Sequence, residues 1–95
     1  MQTIRRQIID LLRQQEFNAR EISQALSIME KEVYGHLEHI DRTIGRHAMK
    51  MVVLPYTCLS CGYSFVGRRR WTRPSRCPVC RRGHIRMAAY RIEAL

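Results

Sequence analysis

The sequence predicts an α+β fold: three short helices, the last two in a helix-turn-helix, joined to a β-ribbon that carries a four-cysteine metal module at or near its tip. Three observations predict it. Apolar residues recur at helical spacing through the first 44 residues, the period then becomes strand-like, and two Cys-x-x-Cys pairs interrupt the strand-like region. Ninety-five residues make one unit or two very small modules. Modules below about 40 residues usually need a metal, disulfides or a partner, so the cysteine-bearing half is expected to be stapled. We divide the chain into residues 1–54 (helix-turn-helix part and first ribbon strand), 55–84 (cysteine module) and 85–95 (a strand returning to the ribbon).

Ile4, Ile8, Leu11 and Leu12 line one face of a first helix over about residues 3–15, with Arg5, Arg6, Asp10 and Arg13 outside. Asn18 followed by Glu21 predicts a reciprocal cap. Ala19, Ile22, Ala25 and Leu26 form the inner stripe of a second helix that stops near Ser27. Val33, Leu37, Ile40 and Ile44 carry a third helix over about residues 30–44, which Gly45 is placed to end. The tight link between the second and third helices distinguishes a helix-turn-helix from any other three-helix bundle.

Ala48 to Tyr56 reads as a strand ended by Pro55. Near the C-terminus Ile85 and Met87 alternate with Arg86, then Tyr90 and Ile92 alternate with Arg91. The phase slip across Ala88-Ala89 indicates a bulge or a break between two short strands. Pairing the Ala48 strand with the Tyr90 strand gives a ribbon beside the helices, where a wing would stand.

Cys58, Cys61, Cys77 and Cys80 form C-x2-C-x15-C-x2-C. Zinc prefers four thiolates in a tetrahedron, and a two-residue gap lets one tight knuckle aim two sulfurs at one point. Gly62 can take the positive φ of such a knuckle, and Pro78 can preset the second. Iron is the alternative ion for a four-sulfur site. A disulfide pair is disfavoured because the N-terminus lacks the apolar block of a signal peptide, which points to a cytoplasmic protein. The longest apolar run, Met51–Leu54, is far too short to cross a bilayer, so no membrane partner is expected. A closed four-thiolate site has no open position, and no nucleophile–base pair or phosphate loop is visible, so the chain does not read as an enzyme.

The formal charge of +9 is unevenly spread. Residues 1–44 balance to −1, whereas residues 45–95 hold eleven Lys/Arg against the single acid Glu93. Arg68, Arg69, Arg70, Arg73 and Arg76 surround Trp71 between the knuckles, a density suited to nucleic-acid phosphates. The competing reading is a solubilising loop in which Trp71 covers the knuckle. The third helix would present Lys31, Tyr34, His36, His39 and Arg42 towards a major groove of double-stranded DNA. Glu30, Glu32 and Glu38 oppose this, and Met29 stands where a Ser or Thr cap is usual. His36 and His39 have no converging carboxylate and read as surface histidines rather than a second metal site.

Asn18–Leu26, Glu30–Ile40 and the Pro74–Cys80 knuckle together resemble a prokaryotic family of predicted transcriptional regulators, in which a winged helix-turn-helix is fused to a rubredoxin-like zinc ribbon. The Tyr56–Tyr63 segment is similar to a rubredoxin knuckle. The resemblance covers nearly the whole chain. It implies a winged helix-turn-helix with the ribbon inserted at or near the wing, one structural zinc on the four cysteines, residues 30–44 as recognition helix, and a role in transcription. A sequence-specific regulator of this kind is expected to act as a homodimer. The alternatives are an RNA- or ribosome-associated zinc ribbon and an iron-containing redox protein.

Overall fold

Three apolar helical stripes meet a three-stranded sheet, and a cysteine-rich segment projects from one end of that sheet. The computed structural model describes residues 2–95. Helix α1 spans Ile4–Gln14 and is capped by Thr3, whose Oγ1 accepts from the Arg6 amide at 3.2 Å. Ile8 and Leu12 are fully buried. Leu11, expected beside them, is only half-buried because it lies at the margin of the stripe. Helix α2 spans Ala19–Leu26 and begins with the predicted reciprocal cap: Asn18 Oδ1 accepts from the Glu21 amide, and Glu21 Oε1 accepts from the Asn18 amide, each at 2.8 Å. Its inner face is Ala19, Ile22 and Leu26. Ala25 is exposed, since 100° per residue carries it off that face.

The chain turns into α3, Glu30–Thr43, through only three residues, with Ser27 in the left-handed region at φ 54°. Val33, Leu37 and Ile40 bury the expected face. Helix α3 does not end at Gly45: a single 3-10 turn, Ile44–His47, follows it, and Ala48 takes the left-handed φ of 56°. Ile44 is buried, which holds that turn against the core in place of a glycine stop.

Strand β1 is Phe17–Asn18, β2 is Met49–Leu54 and β5 is Ala89–Ala94. They form an antiparallel sheet in the order β1-β5-β2, with Met51 opposite Ile92 and Val53 opposite Tyr90. This is the expected pairing of the Ala48 and Tyr90 strands. Strand β1, unforeseen, adds Phe17 opposite Tyr90 on the other edge. Tyr90 and Ile92 of the central strand are buried against the helices.

Residues 55–88 run between β2 and β5. Within them β3, Thr57–Cys58, pairs with β4, Ile85–Arg86, in a separate two-stranded sheet. The phase slip at Ala88-Ala89 is therefore a break between strands of different sheets, and the return to the main sheet starts at Ala89. Among the described residues, no helix is long and apolar enough to cross a membrane.

The Asn18 cap serves α2 and the β1 edge together. Asn18→Ala is expected to lower unfolding stability by about 1–2 kcal/mol, read from the urea midpoint. A loss below the error of the measurement would show that solvent replaces the cap.

Candidate metal centre

Both knuckles are built by the same backbone pattern. In the first, the Gly62 amide donates to the Cys58 carbonyl at 2.9 Å and the Cys58 amide to the Tyr63 carbonyl at 2.8 Å. In the second, the Arg81 amide donates to the Cys77 carbonyl and the Cys77 amide to the Arg82 carbonyl, both at 2.9 Å. The residue after each pair is left-handed, Gly62 at φ 81° as expected and Arg81 at φ 64°. Glycine tolerates that region freely, whereas an L side chain is strained there. The second knuckle thus keeps the same turn without the residue that signals it.

The four sulfurs converge. Cys58 and Cys80 Sγ are 3.5 Å apart, Cys61 and Cys77 Sγ 3.6 Å, and all four lie within 4.8 Å of one another. Four metal–sulfur bonds of about 2.3 Å give a tetrahedron with edges of about 3.8 Å. A disulfide needs a separation near 2.05 Å, so the cysteines are free thiols arranged as a metal cage. Among the described residues this is the one such cluster of His, Cys, Asp and Glu. The first cysteine of each pair is buried, Cys80 is half-buried and Cys61 is exposed, so the cage is reached from one side. The Val79 amide points at Cys77 Sγ at 3.4 Å.

Burial opposes ionisation of Cys58, but the Cys61 and Ser60 amides and the neighbouring thiols outweigh it and bring this thiol down to about 6. At Cys61 the Tyr63 amide favours the thiolate, yet partial desolvation of its sulfur, which faces the cage although the residue is exposed, and three neighbouring sulfurs push it up to about 12. A divalent cation at the centre would favour the thiolate form of all four cysteines.

The basic loop is braced by two of its own arginines. Arg68 donates from Nε and Nη2 to the Thr72 carbonyl, at 3.3 and 3.0 Å, and Arg73 Nη2 to the Ile85 carbonyl at 3.1 Å. These two guanidiniums hold the loop's own shape. Arg69, Arg70 and Arg76 are exposed and make no hydrogen bond or ion pair among the described residues. Trp71 packs on Tyr90 of β5, with ring centroids 5.7 Å apart, and its carbonyl accepts from the Tyr56 hydroxyl at 2.8 Å.

Of the residues expected to leave the apolar stripe of α3, Lys31 and Arg42 are exposed and His39 is half-exposed. Tyr34 is corrected: it is buried, and its hydroxyl donates to Glu30 Oε2 at 2.9 Å. It sits one residue after Val33, so a wider stripe than the strict repeat takes it inside. His36 accepts on Nδ1 from Arg5 Nε at 3.2 Å. Burial, then the charge of Arg5, lowers this imidazole below its ordinary value, so it is a neutral link between α1 and α3. Arg5 was missed because helical phase shows it outside α1 without showing what stands alongside.

Lys31, Gly35 and Glu38 of α3 face Arg69, Arg70, Trp71 and Thr72 across an open cleft of about 370 Å³. The fold and the cage thus define a small α+β protein with three helices, antiparallel sheets and a four-cysteine metal site. Residues 3–52 match the family described as PF0610-like, N-terminal, and the chain belongs to that family. Over its whole length it is similar to the solution NMR structure of protein PF0610 from Pyrococcus furiosus, with a TM-score of 0.79 and 25% identity across 97% of this chain and 90% of that one. No curated protein matches.

Stripping the metal with a strong thiol-competing chelator is expected to collapse the amide dispersion of residues 56–86 while most helical circular dichroism survives. Dispersion that persists in metal-free protein would show that the lobe folds without the ion.

Proposed function

We propose that this protein is a DNA-binding transcriptional regulator in which α3 reads the major groove, β2 and β5 act as a wing, and zinc on Cys58, Cys61, Cys77 and Cys80 is structural. The observation that carries this reading is the shared cleft. Lys31 on the outer face of α3 and Arg69 and Arg70 on the loop edge the same opening, although nearly forty residues separate them. A phosphate strand following that opening meets cations from both halves of the chain at once. Residue types support it too, because two of the three loop arginines not spent on holding the loop, Arg69 and Arg70, are at its rim.

Of the acids on α3, Glu30 is turned to the Tyr34 hydroxyl, from which it accepts, whereas Glu38 lines the cleft with Arg69 and Arg70 and, among the described residues, pairs with neither, so it opposes a phosphate there. Gly35 is exposed at mid-helix, and a Cβ there would meet nothing within 4 Å. A glycine in that position costs stability of about 1 kcal/mol relative to alanine. In this reading it leaves bare backbone where a phosphate approaches closely.

Zinc would supply two positive charges to four thiolates and no open coordination position, so its chemistry is folding rather than catalysis. The residues of the cage fit that role, with two sulfurs buried and both knuckles closed by backbone hydrogen bonds.

The double variant Arg69→Gln/Arg70→Gln is expected to weaken binding to every duplex. It should also flatten the dependence of log K on log salt by roughly 0.9 per lost phosphate contact. Fluorescence anisotropy on a duplex selected from a random library measures both. An unchanged slope removes the loop from the interface, and tighter binding to structured RNA at matched salt overturns the DNA reading. Gly35→Ala should raise stability by roughly 0.5–1 kcal/mol and still lower duplex affinity. If affinity stays the same, the backbone at residue 35 is not in contact.

A further inference from the structure

We propose that the cavity enclosed by the arginine loop, β5 and the end of α3 binds a small planar aromatic anion bearing an N–H donor. Its volume is about 330 Å³, within the range of small-molecule sites, and it combines apolar walls with a few polar groups as such sites do. It lies apart from the sulfur cage and adjoins the helix-facing cleft, with Arg70 and Trp71 lining both; a titration without nucleic acid tests it independently of the nucleic-acid reading.

Four aromatic side chains line the cavity: Tyr56, Phe65, Trp71 and Tyr90. Tyr56, Phe65 and Tyr90 are buried, so their rings are fixed by packing. Trp71 is fixed from two sides, by its ring against Tyr90 and by the Tyr56 hydroxyl on its carbonyl. Trp71, half-buried, is the ring with surface left to stack on a flat aromatic guest, and the buried Tyr56, Phe65 and Tyr90 form the rigid floor behind it. The mouth is apolar as well, since Val53 and Val66 are 41% and 78% exposed there.

The polar lining sets the charge of that guest. Arg68 and Arg70 both reach the cavity. Arg68 is held on the Thr72 carbonyl with its guanidinium 6.0 Å from the Phe65 ring centroid. Arg70 is exposed and, among the described residues, makes no hydrogen bond or ion pair, leaving its donors for a carboxylate or phosphate. Asp41 is the one carboxylate in the lining and accepts only. A ring with an anionic group and an amino or ring N–H donor satisfies all three side chains. Nucleoside monophosphates and amino-substituted aryl carboxylates share that chemistry.

Trp71 is the chain's single tryptophan, so its emission reports occupancy directly. The metal-loaded full-length protein would be titrated with adenosine monophosphate and with 4-aminobenzoate, following Trp71 emission and the amide shifts of Val66, Gly67 and Ala88. Adenosine and aniline serve as uncharged rings, and inorganic phosphate and acetate as ringless anions. At least one aromatic anion is expected to saturate, with its uncharged ring and its ringless anion each about tenfold weaker or more. The nucleotide saturating alone assigns the site to nucleotides, and the aminobenzoate alone assigns it to free aryl carboxylates. Arg70→Gln, on the exposed rim, should weaken the anion's binding severalfold towards that of its uncharged ring, with metal content and circular dichroism unchanged. The proposal is overturned if neither anion saturates, if the uncharged rings bind as well, or if Arg70→Gln leaves the anion's affinity intact.

Discussion

Four sulfurs meeting at one point hold in shape a segment whose own apolar content is too small to do so. Between β2 and β5 the buried side chains are Tyr56, Cys58, Phe65, Pro74, Cys77, Ile85 and Ala88, two of them cysteines of the cage. A core of that size does not offset the chain entropy of more than thirty residues. Joining residues 58 and 61 to residues 77 and 80 through a common ion removes much of that entropy from the unfolded state, as a cross-link does. The two-residue strands β3 and β4 are then side effects of the closure, since they end at Cys58 and Ile85 beside the cage.

Charge confinement follows from the same closure. An arginine-rich loop with no acid of its own repels itself and would spread in water. Here its ends are pinned by the knuckles, and two of its arginines donate to backbone carbonyls. Arg69 and Arg70 are left exposed along the cleft that faces α3. The negative charge of a metal–thiolate cage, close in sequence to Arg76, Arg81 and Arg82, offsets part of the repulsion.

The cysteine-bearing segment is joined to the helices by aromatic residues. Tyr56 follows β2 and bonds the Trp71 carbonyl, Trp71 lies on Tyr90, and Tyr90 is buried in the central strand. Burial raises the hydroxyl of Tyr90 above its ordinary titration range, and that of Tyr34 likewise with help from Glu30, so these phenols stay neutral hydrogen-bonding groups. Both the cleft beside α3 and the aromatic cavity open along this junction.

The helices, the β2–β5 pair and the cysteine cage were legible in the amino-acid order because each rests on a local rule. A 3.6-residue period, an Asn-x-x-Glu cap, strand alternation and a Cys-x-x-Cys spacing act over a few residues and need no knowledge of the neighbours. Other features escaped those rules. Tyr34 is buried although it lies off the strict repeat, and Arg81 adopts a turn usually marked by glycine. Strand β1 is two residues long, too short to show any period. The opposition of Lys31 to Arg69 and Arg70, and the meeting of four aromatic rings with Arg70 and Asp41, arise only when the segment after β2 folds back along α3. Such contacts join residues distant in the chain, and no local pattern encodes a distance that packing alone sets.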